Sequence, residues 1–159
     1  MSRNAVNDLI DQYQRSFKML SMEIRRFDDQ EWLKGLDFFQ VPVKIAMHIV
    51  DCLDYYFSDK DGDHYKWGYR FGGGYWELLD ERLPDRENLL VYSKEIENRV
   101  ITELSSLNDE DLFSPVKIKD GSGETQIGHY IYALRHTMHH HGELATLNVF
   151  LGNEGGVWE

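Results

Sequence analysis

The chain has 159 residues, which points to one domain spanning residues 1–159. Its apolar fraction of 42% is that of an ordinary soluble globular protein. Its net charge of −11 argues against nucleic acid or an anionic membrane as a partner, since both reward Lys and Arg. Cys52 is the only cysteine, so no intramolecular disulfide can form and a reducing cytoplasm is the expected location. Met1-Ser2-Arg3-Asn4 does not open a signal peptide, and no segment approaches the ~20 uninterrupted apolar residues of a membrane span.

Four long helices are expected. Val6, Leu9, Ile10, Tyr13, Phe17, Leu20, Ile24 and Phe27 recur at three- and four-residue spacing and predict a first helix over residues 4–27. Asp28-Asp29-Gln30-Glu31 then reads as a capping box that opens a short turn. A second helix begins at Pro42, with Ala46, Val50, Leu53 and Phe57 on one side and His48, Cys52 and Tyr55 on another. Residues 59–85 break the pattern with Gly62, Gly68 and Gly72-Gly73-Gly74, yet carry Tyr65, Trp67, Tyr69, Phe71, Tyr75 and Trp76. So many rings argue against disorder. The segment is a packed cover over one end of the fold, or a lid or wall of a substrate pocket. A third helix spans 86–107 through Leu89, Leu90, Ile96, Val100, Leu104 and Leu107. Residues 108–124 form a polar connector in which Val116-Lys117-Ile118 is a candidate extended piece. The fourth helix runs from near Thr125 to near Gly152. Four amphipathic helices with one long irregular crossover between the second and third predict an all-α four-helix bundle.

The fourth helix carries Arg135-His136-Thr137-Met138-His139-His140-His141-Gly142-Glu143, which holds four of the seven histidines. At one turn's separation, His136 and His140 lie only about 40° apart and can reach a common point. An i, i+4 histidine pair is a recurrent two-ligand module for transition metals. There is no Glu directly after His136, so the pair is not the zinc-protease motif. His139 is displaced by about 60° and His141 by about 140° from His136, which predicts solvent-facing or outer positions for both. His129 points the same way as His136 but stands about 10 Å along the axis, so it can join a larger pocket but not readily the same ion. His48, mid-way along the second helix, is the best third ligand, because facing helices of a bundle commonly build metal sites in the core. Three neutral imidazoles leave open positions for water or substrate, and zinc, nickel, manganese, iron or cobalt would all accept them.

Other residues stay open between two readings. Glu143 orients a ligand or takes a proton from metal-bound water, or is an ordinary helix glutamate. Cys52, one turn after His48, is a soft ligand or a small core residue. Cys52, Tyr55 and His129 are the candidate pocket residues, and His64 has no assigned role.

His48 in the second helix, with His136-x-x-x-His140 followed by Gly142 and Glu143 in the fourth, resembles the DinB/YfiT-like metalloenzymes. The order of helices and the long crossover match as well, over essentially the whole chain. The resemblance implies an up-down-down-up four-helix bundle and a metal held by His48, His136 and His140. Members of that family include mycothiol- and bacillithiol-dependent S-transferases and a maleylpyruvate isomerase. It therefore implies a divalent metal, a low-molecular-weight thiol as cosubstrate and a small electrophile as substrate. Metal-dependent hydrolysis is the alternative reaction. A non-catalytic alternative is a metal-stabilised dimeric module or a stress-linked ligand binder.

One expectation concerns assembly. Ile127, Ile131, Leu134, Met138, Ala145 and Val149 form a stripe on the fourth helix roughly opposite the His136/His140 side, which itself carries Ala133, Leu144, Leu147 and Leu151. Two apolar sides exceed what one core needs. The helix is either nearly enclosed by its own chain or packs against a second subunit, and a homodimer is favoured.

Overall fold

A computed structural model describes residues 2–37, 40–116, 123–156 and 158, and among these it is all-helical. The expected helices form close to their predicted limits. Helix α1 spans Asn4–Arg26, buries Val6, Leu9, Tyr13, Phe17, Leu20 and Ile24, and places Arg25 and Arg26 at its carbonyl end, where cations are favoured. The capping box is present: Asp28 accepts from the Gln30 and Glu31 amides, Glu31 accepts from the Asp28 amide, and the short α2 (Asp29–Trp32) follows. The second long helix, α3 (Pro42–Tyr56), starts on its proline. The third, α4 (Arg86–Ser105), is capped by Asp85. The fourth, α5 (Gln126–Leu151), is capped by Thr125 and stopped by Gly152 in the left-handed conformation. No helix of the described residues is long and apolar enough to cross a membrane.

The buried apolar residues form one cluster shared by α1, α3, α4 and α5. Helix α1 packs on α4 and α5, and α3 packs on α5 and α4. Specific contacts mark each seam. Arg3 reaches the Ser105 carbonyl and Arg25 reaches Glu87 between α1 and α4. The Tyr13 hydroxyl donates to the Tyr130 carbonyl, and the Asn148 amide to the Glu23 carboxylate, between α1 and α5. His48 meets His140 and the Tyr56 ring meets His129 between α3 and α5.

Every residue of α3 except His48 is buried. The apolar run Ile45-Ala46-Met47 and Ile49-Val50 makes the helix hydrophobic on nearly all sides, the signature of an enclosed helix. The enclosed helix is thus α3, whereas in the expected stripe of α5 Ile131 and Val149 are 52% and 61% exposed, and Ile127 and Leu134 are half-buried against the core. The segment between α3 and α4 forms turns that fold back over α3. Gly68 sits at φ +64°, and a Cβ there would stand 1.9 Å from the Gly73 carbonyl oxygen, so this turn requires glycine. Tyr65 and Trp67 pack on Tyr55, and the Tyr65 hydroxyl donates to the Asp51 carbonyl at 3.3 Å. In the later connector the Val116 amide donates to the Glu124 carbonyl and Pro115 bridges Thr125; Lys117 and Ile118 of the expected extended piece lie outside the described residues.

Candidate metal centre

The seam of α3 and α5 brings His48, His136 and His140 together. Their ring centroids are 5.1 Å (His48–His136), 4.5 Å (His48–His140) and 4.6 Å (His136–His140) apart. One nitrogen from each lies within 4.8 Å of the other two, so the three could hold a metal ion. His48 Nε2 and His140 Nε2 approach to 3.1 Å.

Two of the rings, His48 and His136, are prepared as neutral donors. Burial, with the neighbouring His140 and His136, pushes His48 down to about 3. Burial, with His140, His139 and Arg135, pushes His136 down to about 4. At neutral pH both rings are uncharged and keep a lone pair, as a ligand must.

Each ring is also held from behind. His140 Nδ1 lies 2.8 Å from Glu143 Oε2; a proton donated along that line leaves Nε2 unprotonated toward the other rings. Cys52 Sγ stands against the His48 ring, 3.6 Å from Nδ1 and 3.8 Å from Nε2. Tyr132 stacks along His136, and Arg135 lies over Tyr132. His136 Nδ1 is buried with no hydrogen-bond partner among the described residues. An orphaned polar atom of this kind calls for an ion or water partner. The residues therefore fit a divalent cation.

The site opens on a cavity of about 300 Å³ walled by Lys44, Ile45, His48, Tyr75, His140 and Glu143, with Asp37 and Gln40 at its rim. A second grouping, His139 with His140 and Glu143, also meets the spacing for a metal. It would use the His140 ring and the carboxylate already engaged with each other, and the His139 side chain is 70% exposed. The inner trio is the less exposed of the two groupings and includes His48 and His136, both held neutral by burial.

The other expected pocket residues are placed elsewhere. Cys52 lies against His48, burial raises its thiol well above the usual range, and it is not among the groups whose spacing suits a metal. Tyr55 is buried among Tyr56, Tyr65 and Trp67. His129 is buried with its Nε2 2.8 Å from the Tyr56 carbonyl oxygen, and it lines a separate small hollow. None of the three lines the main cavity. His139 is exposed as expected, but His141 is not: it is 3% exposed and its Nε2 lacks a hydrogen-bond partner among the described residues. The reason is the α1 seam, which encloses the line of α5 carrying Tyr130, Thr137, His141 and Asn148. His64 is an exposed loop residue paired with Asp61.

Lys44 is a wall residue that sequence reasoning passed over, whereas Tyr75 is one of the crossover rings expected as a cover or pocket wall. Lys44 precedes His48 by one turn, a spacing that placed it on the site's side of α3. Tyr75 belongs to the aromatic crossover and turns its ring edge to His48, with centroids 5.3 Å apart. The crossover is thus a packed cover and also one wall of the cavity. Compared with protein-family models, curated proteins and solved structures, the chain finds no match, so the functional reading rests on the geometry of these residues.

Proposed function

We propose that the chain is a divalent-metal-dependent enzyme of the DinB/YfiT-like kind, using His48, His136 and His140 as ligands and transferring a small thiol to an electrophile. The observation that carries this reading is the convergence of three imidazoles, two of them held neutral by burial, beside an open cavity. A bound divalent ion would act as a Lewis acid and lower the pKa of a thiol or water near it. Glu143 orients His140 through Nδ1 and so keeps its Nε2 available. Tyr75 and Ile45 line the cavity and would offer an electrophile an apolar surface. Hydrolysis is the second reading, favoured by the position of Glu143: its side chain lines the cavity and is 41% exposed, within reach of a nucleophile's proton.

The fold proposed with this function is a four-helix bundle in up-down-down-up order. Contacts that advance together along α1 and α5 (Tyr13 with Tyr130, Glu23 with Asn148) support parallel neighbours. Contacts that run oppositely along α3 and α5 (His48 with His140, Tyr56 with His129) support antiparallel ones. A homodimer through the outward stripe of α5 is proposed as well, supported by the exposure of Ile131 and Val149. Light scattering at micromolar concentration should give twice the monomer mass, and Val149→Glu should return the monomer; a wild-type monomer sinks this assembly.

The test of function has two stages. Chelator-free purification followed by elemental analysis should find one divalent ion per chain, with zinc, nickel, manganese and iron all scored. Conjugation of a model electrophile with a panel of small thiols should then depend on that ion. Metal without conjugation, but with ester or amide cleavage, would favour hydrolysis. Metal with neither reaction would favour a non-catalytic binding module.

A further inference from the structure

His140 belongs to two groupings that have the spacing of a metal site, one with His48 and His136 and one with His139 and Glu143. The two meet its ring at different nitrogens. Nε2 lies 3.1 Å from His48 Nε2, whereas Nδ1 lies 2.8 Å from Glu143 Oε2. The two nitrogens of an imidazole point away from each other, so one ring can serve two ions once Nδ1 gives up its proton. The inner and outer groupings therefore do not exclude each other.

The outer grouping is built by one stretch of α5. His139 and Glu143 stand one turn apart on the same side of the helix, and the His140 ring lies beside them, its centroid 4.9 Å from that of His139. His139 Nε2 and Glu143 Oε1 are 3.9 Å apart, too far for a hydrogen bond. That separation suits a cation between them, since metal–ligand bonds of about 2.0–2.2 Å set two ligands of one ion roughly 3–4 Å apart. Approach is open as well. His139, Gly142 and Glu143 line a hollow of about 210 Å³ together with Gln40 and Thr146, and a Cβ built on Gly142 meets nothing within 4 Å. Water in that hollow can complete the coordination shell. Two imidazoles and one carboxylate select a first-row transition ion such as zinc over magnesium, which prefers oxygen.

We infer that α5 carries a second divalent-cation site next to the inner trio, with His139, the Glu143 carboxylate and His140 Nδ1 as its ligands. Filling it gives up the hydrogen bond between His140 and Glu143. The ion replaces the Nδ1 proton, which leaves to solvent, and an ion on Nε2 eases that loss by making the ring more acidic. The His139 and Glu143 side chains are 70% and 41% exposed, so this site binds more weakly than the inner one. The site itself does not depend on the enzyme reading, but its consequence does. An ion there takes Glu143 out of both roles proposed for it, so metal in excess inhibits.

Zinc titration of the metal-stripped full chain against a chromogenic chelator tests this. The wild type should take up two zinc ions per chain, the second at least tenfold more weakly than the first. His139→Ala, a change at an exposed position, should take up one and keep the tight affinity unchanged. His64→Ala, which removes the exposed pair with Asp61, should keep both. A wild type that stops at one zinc, lost in His136→Ala, would overturn this inference and leave the proposed function standing. A second zinc that survives in His139→Ala, or that is lost in His64→Ala, would be an adventitious surface ion and would overturn it too. One zinc lost in His139→Ala but kept in His136→Ala would overturn both the pairing of sites and the inner ligand set. Two zinc ions that follow the expected pattern in a chain with neither reaction would sink the enzyme reading and leave the second site standing.

Discussion

Helix α3 buries polar groups along two seams, and the two differ in kind. Toward α5 it offers His48 to two more imidazoles. Toward α4 it offers Asp51 and Asp54. There the Tyr92 hydroxyl lies 2.5 Å from Asp54 Oδ2 and 3.3 Å from Asp51 Oδ1, and Arg99 pairs with Asp54. The acid seam sets a hydroxyl and a guanidinium against its carboxylates, as a structural network does, although Asp51 Oδ2 and Arg99 Nε also lack a hydrogen-bond partner among the described residues. The histidine seam holds like groups that repel one another when protonated, leaves a ring nitrogen without a partner, and borders a cavity. Buried polarity alone therefore does not mark a site. What separates the two is whether complementary partners are already present and whether anything can enter.

The comparison breaks most sharply under substitution of the ligands. His136→Ala should lose metal affinity by more than the roughly 10–100-fold that an outer partner is worth, with folding retained. Competition with a chromogenic chelator and thermal melting of the same samples check both halves. Retained affinity would remove His136 from the site. Arg99→Met should do the reverse. It strands Asp54, whose side chain is 2% exposed, and should cost about 3 kcal/mol in urea unfolding while metal binding is unchanged.

A smaller effect follows from pH. Burial raises the Asp51 carboxyl from its ordinary 3.8 to about 7. A folded-state value above the unfolded one means that the proton is held more tightly in the native protein. The contribution is then fully present below pH 3.8 and is lost as pH rises through about 7. Within that window the group should lower stability by up to about 1.4 kcal/mol per pH unit as pH rises. Asp51→Asn should flatten that slope, and an unchanged slope would show that Asp51 ionises normally. The smallest expected change is for Glu143→Gln, which weakens the acceptor behind His140. It should lower metal affinity by roughly tenfold, at the lower end of what outer carboxylates contribute.

Much of this arrangement was legible before any coordinates. Pro42, the Asp28/Glu31 box, Thr125 and Gly152 are local signals whose physics acts within a few residues, and the helices begin and end at them. The i, i+4 spacing of His136 and His140 likewise needs no tertiary information. Choosing His48 required only that facing helices share a core. What could not be read was which helix is enclosed. The apolar surplus on α5 leaves enclosure by its own chain and a second subunit as alternatives, with a homodimer favoured, but the crossover lies over α3, and the route of a glycine-rich turn such as Gly68–Gly73 has no periodicity to follow. The same hidden contacts bury His141 against the α1 seam and carry Tyr75 onto His48.

The single opening in α3 has a consequence for how the protein can change. The three ligands sit on two helices locked into the core, while Gln40 and Tyr75 come from segments without regular structure and Gly142 faces open space. The histidine cluster and part of the cavity lining thus come from different kinds of segment. Under the proposed function, substitutions at Gln40 and Tyr75 would reshape the cavity without moving the three histidines, which makes those positions the natural starting library for altering what the cavity accepts.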